Sequence, residues 1–200
     1  MNKDISRTFE AVLVRQCAPT LAGMKPGSIF CFNHSPLEVS RQKVCQWNKQ
    51  LAPFGLTVQI LLERPSSSSV IVFVYRHNRL EQMLSDDAYQ SFLAQAGYER
   101  TNLDDLLEQL AQRLRTQPEF PHEIGVFLGY PLRDVIGFIE NHGRNFTCCG
   151  FWKSYCQVNA VAVVWYMVAA AVVLGFMVAY AAMFGFDKLK EALSQFNARR

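Results

Sequence analysis

The sequence predicts an α+β fold, a small and mostly antiparallel sheet packed with helices, followed by one C-terminal transmembrane helix. Three observations carry this. Residues 56–62 and 70–75 are short apolar runs rich in β-branched side chains, bounded by polar or turn-forming residues, and read as strands. Leu103, Leu106, Leu107, Leu110 and Leu114 recur at helical spacing and make one apolar stripe. Residues 160–186 contain no charged side chain at all. On this reading the 200 residues divide into a soluble α+β domain (1–155), a membrane span (156–187) and a short basic tail (188–200).

The elements follow in order. Ile5, Phe9, Val12 and Leu13 share a helical face, predicting a first helix over 4–16 that Ala18-Pro19 and the loop to Gly27 terminate. Residues 28–32 read as a strand. Ser35-Pro36-Leu37-Glu38 is a helix start, with serine as cap, proline in the first turn and Glu38 closing a capping box. That helix runs to about Leu51 and is stopped by Pro53 and Gly55. The two strands at 56–62 and 70–75 form a hairpin across a polar, serine-rich connection. Helices are predicted at 79–84, at 86–96 with Ser85 as cap, and at 102–115. Residues 124–128 read as a further strand, 131–141 as a helix closed by Gly143, and 146–155 as a last strand. The middle of this order, βαββ(αα)β, has the succession of a ferredoxin-like split βαβ core.

Charge narrows the function classes. The tail holds Lys188, Lys190, Arg199 and Arg200 against Asp187 and Glu191, which accounts for most of the net charge of +3 and leaves the domain near neutral. Nucleic-acid binding needs a concentrated basic face, so no nucleic-acid partner is expected. The first twenty residues carry charges early and only a short apolar run, so no secretory signal is read. The N-terminal domain is therefore expected in the cytoplasm, with the six cysteines as thiols.

About 20 apolar residues span a hydrocarbon core of roughly 30 Å, and residues 160–186 exceed that length. Trp165, Tyr166 and Tyr180 suit the interfaces. The expected location is thus a single-pass membrane protein, although the basic tail opposes an outside C-terminus under the positive-inside rule. Ala171, Gly175 and Ala179 form a small-xxx-small row, a motif for self-association between such helices.

Several stretches together resemble a known family. They are Arg15-Gln-Cys17-Ala-Pro-Thr-Leu-Ala-Gly23, Val74-Tyr-Arg76 with Arg79-Leu80, and Phe120-Pro-His122-Glu123-Ile-Gly125-Val-Phe-Leu-Gly129-Tyr-Pro131. Asp134, Gly137-Phe-Ile-Glu-Asn141 and Gly150-Phe-Trp152-Lys153-Ser-Tyr155 complete the set. The chain is similar over roughly residues 9–155 to the bacterial domain-of-unknown-function family 3793. The resemblance implies no activity, so no functional residues or cofactor are carried over. Where members of that family continue with a charged, soluble segment after the Trp-Lys-x-Tyr motif, this sequence has its uncharged run.

Candidate chemistry is sparse. His122-Glu123 pairs an imidazole with a carboxylate for acid–base or ligand work, although adjacent side chains usually point apart. Cys17 follows Arg15 and is a candidate nucleophile, but a helix C-terminus disfavours a thiolate. Cys148, Cys149, Cys156 and His142 supply soft ligands within a short stretch, without the Cys-x-x-Cys spacing that zinc prefers. Arg76, His77 and Arg79 form a basic turn. With the glycine turn at Gly129 and Tyr130 they could take a small anion, although no phosphate-binding glycine motif is present. The leading expectation is a membrane-tethered, non-enzymatic binding or regulatory module for a small anion or a protein partner. The alternative is a thiol- or metal-dependent enzyme using His122, Glu123 and cysteines.

Overall fold

The computed structural model describes residues 7–99, 101–149 and 153–155. They fall into two compact units that divide between Asn78 and Arg79.

The first unit opens with helix α1 (Phe9–Leu21), capped by Thr8, whose Oγ1 accepts the Ala11 N–H at 3.2 Å. The helix does not stop at Ala18-Pro19 as the sequence predicts; Pro19 lies inside it. Proline removes its own N–H and crowds the carbonyl four residues back, yet the turn beyond it closes without that donor. The Met24 N–H reaches the Pro19 carbonyl (2.8 Å) and the Gly23 N–H reaches Thr20 (3.0 Å). Gly23 takes the left-handed conformation, φ +73°, that this Schellman closure requires. Glycine, rather than proline, ends the helix.

Strand β1 (Gly27–Phe32) leads to α2 (Leu37–Leu51). Here the predicted capping box does not form. Pro36 itself occupies the cap position and no side chain bonds the first amides, while Glu38 turns to Arg41, Oε2 to Nη1 at 3.2 Å. Strands β2 (Leu56–Arg64) and β3 (Ser69–Arg76) form the predicted hairpin, longer than expected. The polar, serine-rich connection is ordered into strand ends and a single 3-10 turn at Pro65–Ser67.

Both partners of β3 are antiparallel to it, in the order β1-β3-β2. β1 and β2 therefore run parallel to each other around a central third strand, with α2 as the crossover. The apolar face of α1 (Phe9, Leu13, Cys17, Leu21) and Val44, Trp47 and Leu51 of α2 pack on Phe30, Phe32, Leu56, Val58 and Val70, Val72, Val74 of the sheet. β3 is buried on both sides, since Ile71, Phe73 and Tyr75 are as enclosed as the valines between them, which explains its unbroken apolar run. A bulge between Ile60 and Leu62 inserts Leu61 into β2 and lets both leucines be buried.

Helix α3 (His77–Leu84) starts at the junction between the units. The second unit continues with α4 (Asp87–Gln95) and α5 (Leu103–Thr116). Asp86 rather than Ser85 caps α4, accepting the Ala88 N–H at 2.9 Å. The leucine stripe of α5 is buried as its periodicity predicts.

Residues 124–128, read as a strand, are instead the one-turn helix α6 (Ile124–Phe127). Four apolar residues do not distinguish strand from buried helix; the bonds Val126 N–H to Glu123 O (2.9 Å) and Leu128 N–H to Ile124 O (3.0 Å) decide it locally. Helix α7 (Leu132–Glu140) follows, then a two-residue ladder of β4 (Cys148–Cys149) with β5 (Lys153–Ser154). The main sheet therefore holds three strands among the described residues. The α+β class stands, and the segment read as the fourth strand of a ferredoxin-like core is helix α6 instead.

Among the described residues no helix is long and apolar enough to cross a membrane. The predicted span 156–187, with Ala171, Gly175 and Ala179, lies outside them.

Candidate functional site

The motif residues meet at three places. In the first unit, Arg76 at the end of β3 turns its guanidinium onto the C-terminus of α1. Nη2 donates to Leu21 O (2.7 Å), Nε to Thr20 O (2.9 Å) and Nη1 to Phe54 O (3.4 Å). These are carbonyls that a helix end leaves without intrahelical donors, and a cation also suits the negative end of the helix dipole. Gly23 lies beside this guanidinium; a Cβ there would stand 3.5 Å from Cζ. Behind it the buried hydroxyls of Thr20 and Ser28 bond each other at 2.8 Å. Cys17 is fully enclosed in the same helix, and burial pushes its thiol well above the ordinary range. Lys25 is also largely enclosed, and burial lowers its ammonium to about 8.

The second meeting place is Glu123. Its Oε1 accepts the Tyr98 hydroxyl at 3.2 Å and lies 3.4 Å from Nη1 of Arg113. Arg113 also stacks over the Tyr98 ring, 4.2 Å from its centre. Burial first, and then the Glu123 charge, push the Tyr98 phenol up, so it stays a donor. The neighbouring His122 is exposed, with its ring edge-on to Phe138 at 4.9 Å. The adjacent pair thus divides between solvent and interior.

The third place joins α7 to β5. Asp134 is buried and its Oδ1 accepts the Tyr155 N–H (2.8 Å) and the Ser154 hydroxyl (3.2 Å). Asn141 donates to Gly137 O (2.8 Å), and Lys153 donates to Gly143 O (2.6 Å). Tyr155 packs directly on Gly137.

The remaining candidates are placed as follows. Gly129 (φ +75°) and Tyr130 close α6 by the same motif as Gly23 closes α1, with Gly129 N–H to Val126 O (2.9 Å) and Tyr130 N–H to Gly125 O (3.0 Å). The expected strand-to-helix anion turn is thus a helix-to-helix turn whose two amides are already bonded. Arg76 belongs to the first unit, and Gly129 and Tyr130 to the second. Arg79 is exposed on α3. His142 and Cys149 are exposed, while the Cys148 side chain and Cys156 lie outside the described residues. No three of His, Cys, Asp and Glu converge as a metal site among the described residues.

Sequence reasoning did not single out Tyr98, Arg113 or Ser154. Tyr98 and Arg113 lie 25 and 10 residues from Glu123, and only folding joins them. A signal was present for Asp134, an acid facing inward on an otherwise apolar helix face.

These arrangements define a two-unit α+β chain whose motif residues brace helix ends and turns from within. Residues 13–166 match the family described as "Protein of unknown function (DUF3793)". The chain belongs to that family, as the motifs imply. No curated protein and no solved structure matches it.

Proposed function

We propose that this chain is a non-enzymatic binding or regulatory module, tethered to a membrane through residues 156–187 with its N-terminal domain in the cytoplasm. The observation that carries this reading is the use of its charged motif residues. Arg76, Glu123 and Asp134 direct their polar atoms to backbone carbonyls, a phenol, an amide and a hydroxyl of their own unit. Groups engaged in this way hold a scaffold, and recognition then falls to the exposed surface. The bonded amides at Gly129 and Tyr130 weigh toward a protein partner over a small anion. The uncharged run 160–186 supports the tether, and Ala171, Gly175 and Ala179 within it suit pairing of two copies.

Native mass spectrometry of the full-length chain, with metal analysis, tests the reading. The expected result is the bare mass, or a whole multiple of it, without stoichiometric metal. Stoichiometric metal lost in His122→Ala or Cys149→Ala would overturn it in favour of a thiol- or metal-dependent enzyme. A bound small anion lost in Arg79→Ala would return the anion to first place.

A further inference from the structure

We infer that the α7–β4 corner of the second unit rests on an anionic lipid headgroup surface. The inference deepens the tethered reading and depends on it. The corner is built from His122, Phe138, Phe146 and Lys153, with Arg144 beside them. Phe146 is one of few large apolar side chains left exposed among the described residues. The Lys153 ammonium sits 4.9 Å above its ring and 5.9 Å from that of Phe138, against which His122 stands edge-on. Lys153 commits one N–H to Gly143 O; an ammonium has three. Arg144, His122 and His142 are exposed, and in the stretch 138–149 the acid is Glu140.

An aromatic ring under a cation is the pair favoured at the water–lipid boundary, the ring among the upper acyl carbons and the cation among phosphates. Chain continuity selects this occupant over a protein. Tyr155 directly follows β5 at this corner, and four residues separate it from the apolar run that begins at Ala160. Five extended steps reach at most about 17 Å, so a tethered chain holds this corner within reach of the headgroups.

The test uses the full-length chain in nanodiscs of phosphatidylcholine, with and without one quarter phosphatidylglycerol. Amide hydrogen exchange over residues 142–149 is expected to slow several-fold in the anionic discs. Arg144→Glu and Phe146→Ser, which alter exposed side chains, are expected to abolish the slowing. Equal exchange in both discs would overturn the inference while leaving the tether standing. Release of the chain from vesicles at alkaline pH would overturn the tether, and this inference with it.

Discussion

The Tyr155 ring sits on the bare backbone of Gly137: a Cβ added at Gly137 would lie 2.5 Å from Cγ and 2.6 Å from Cβ of the tyrosine. Those atoms are the root of the side chain, which cannot swing away as a flexible tip would. Gly137 is in the middle of α7, where alanine would otherwise be favoured by about 1 kcal/mol. The glycine is therefore a packing requirement of the α7–β5 junction.

Gly137→Ala is expected to destabilise the chain by about 1–2 kcal/mol, because an overpacking cost of about 1–3 kcal/mol exceeds the propensity gain. Chemical denaturation of the full-length chain in detergent measures it. Adding Tyr155→Gly to the alanine variant should cost less than it does in the parent, since the contacts with both Cγ and Cβ of the tyrosine are then removed.

Arg76→Gln is expected to cost about 2–3 kcal/mol, because Thr20 O and Leu21 O lose charge-assisted donors at a half-buried helix end. Arg76→Lys should restore only part of this, since one ammonium cannot match a planar fork aimed at three carbonyls. Equal stability of all three chains would show that the guanidinium is not a brace.

His142 occupies the left-handed position that closes α7, with φ 49°, and its N–H bonds Ile139 O at 3.2 Å. The sequence places that role one residue later, on Gly143, which is also left-handed. An L-residue there costs about 1–2 kcal/mol, and glycine returns part of that through unfolded-chain entropy of about 0.4–1 kcal/mol. His142→Gly is thus expected to raise stability by about 0.5–1 kcal/mol, read from the denaturation midpoint. A fall would mean that the imidazole makes a stabilising contact.

Glu10 ties α1 to α2. Burial alone would raise its carboxyl, but bonds from Lys43 (2.7 Å) and Trp47 (3.3 Å), with the backbone, overcome this and hold it below the ordinary carboxylate range. A depressed folded pKa means that the unfolded chain takes up its proton first on acidification. The stabilisation is present above the unfolded value of about 4.3 and is lost as pH falls through the folded one. The stability gap between the parent and Glu10→Gln should therefore be widest near neutrality and close below about pH 4. A pH-independent gap would assign the effect to packing.

What the sequence determined by itself was set by local pattern. The α5 stripe, the β2–β3 hairpin, the stop at Gly55 and the α+β class follow from spacing and turn chemistry between near neighbours. The family followed from its motifs. Tertiary structure decided what short patterns leave open. Residues 124–127 carry the same apolar signal as a strand, yet the bonds Val126 N–H to Glu123 O and Leu128 N–H to Ile124 O close them into a turn of helix. Pro19 reads as a stop, yet the closure at Gly23, braced by Arg76 from 53 residues away, carries the helix past it. Arg76 and Glu123 read as candidate site residues and Asp134 as a family motif, while their partners come from distant positions: Thr20 for Arg76, Tyr98 for Glu123, Tyr155 for Asp134. Sequence lists donors and acceptors, but the low dielectric of an interior decides that each must find a partner within it, and only the fold says which.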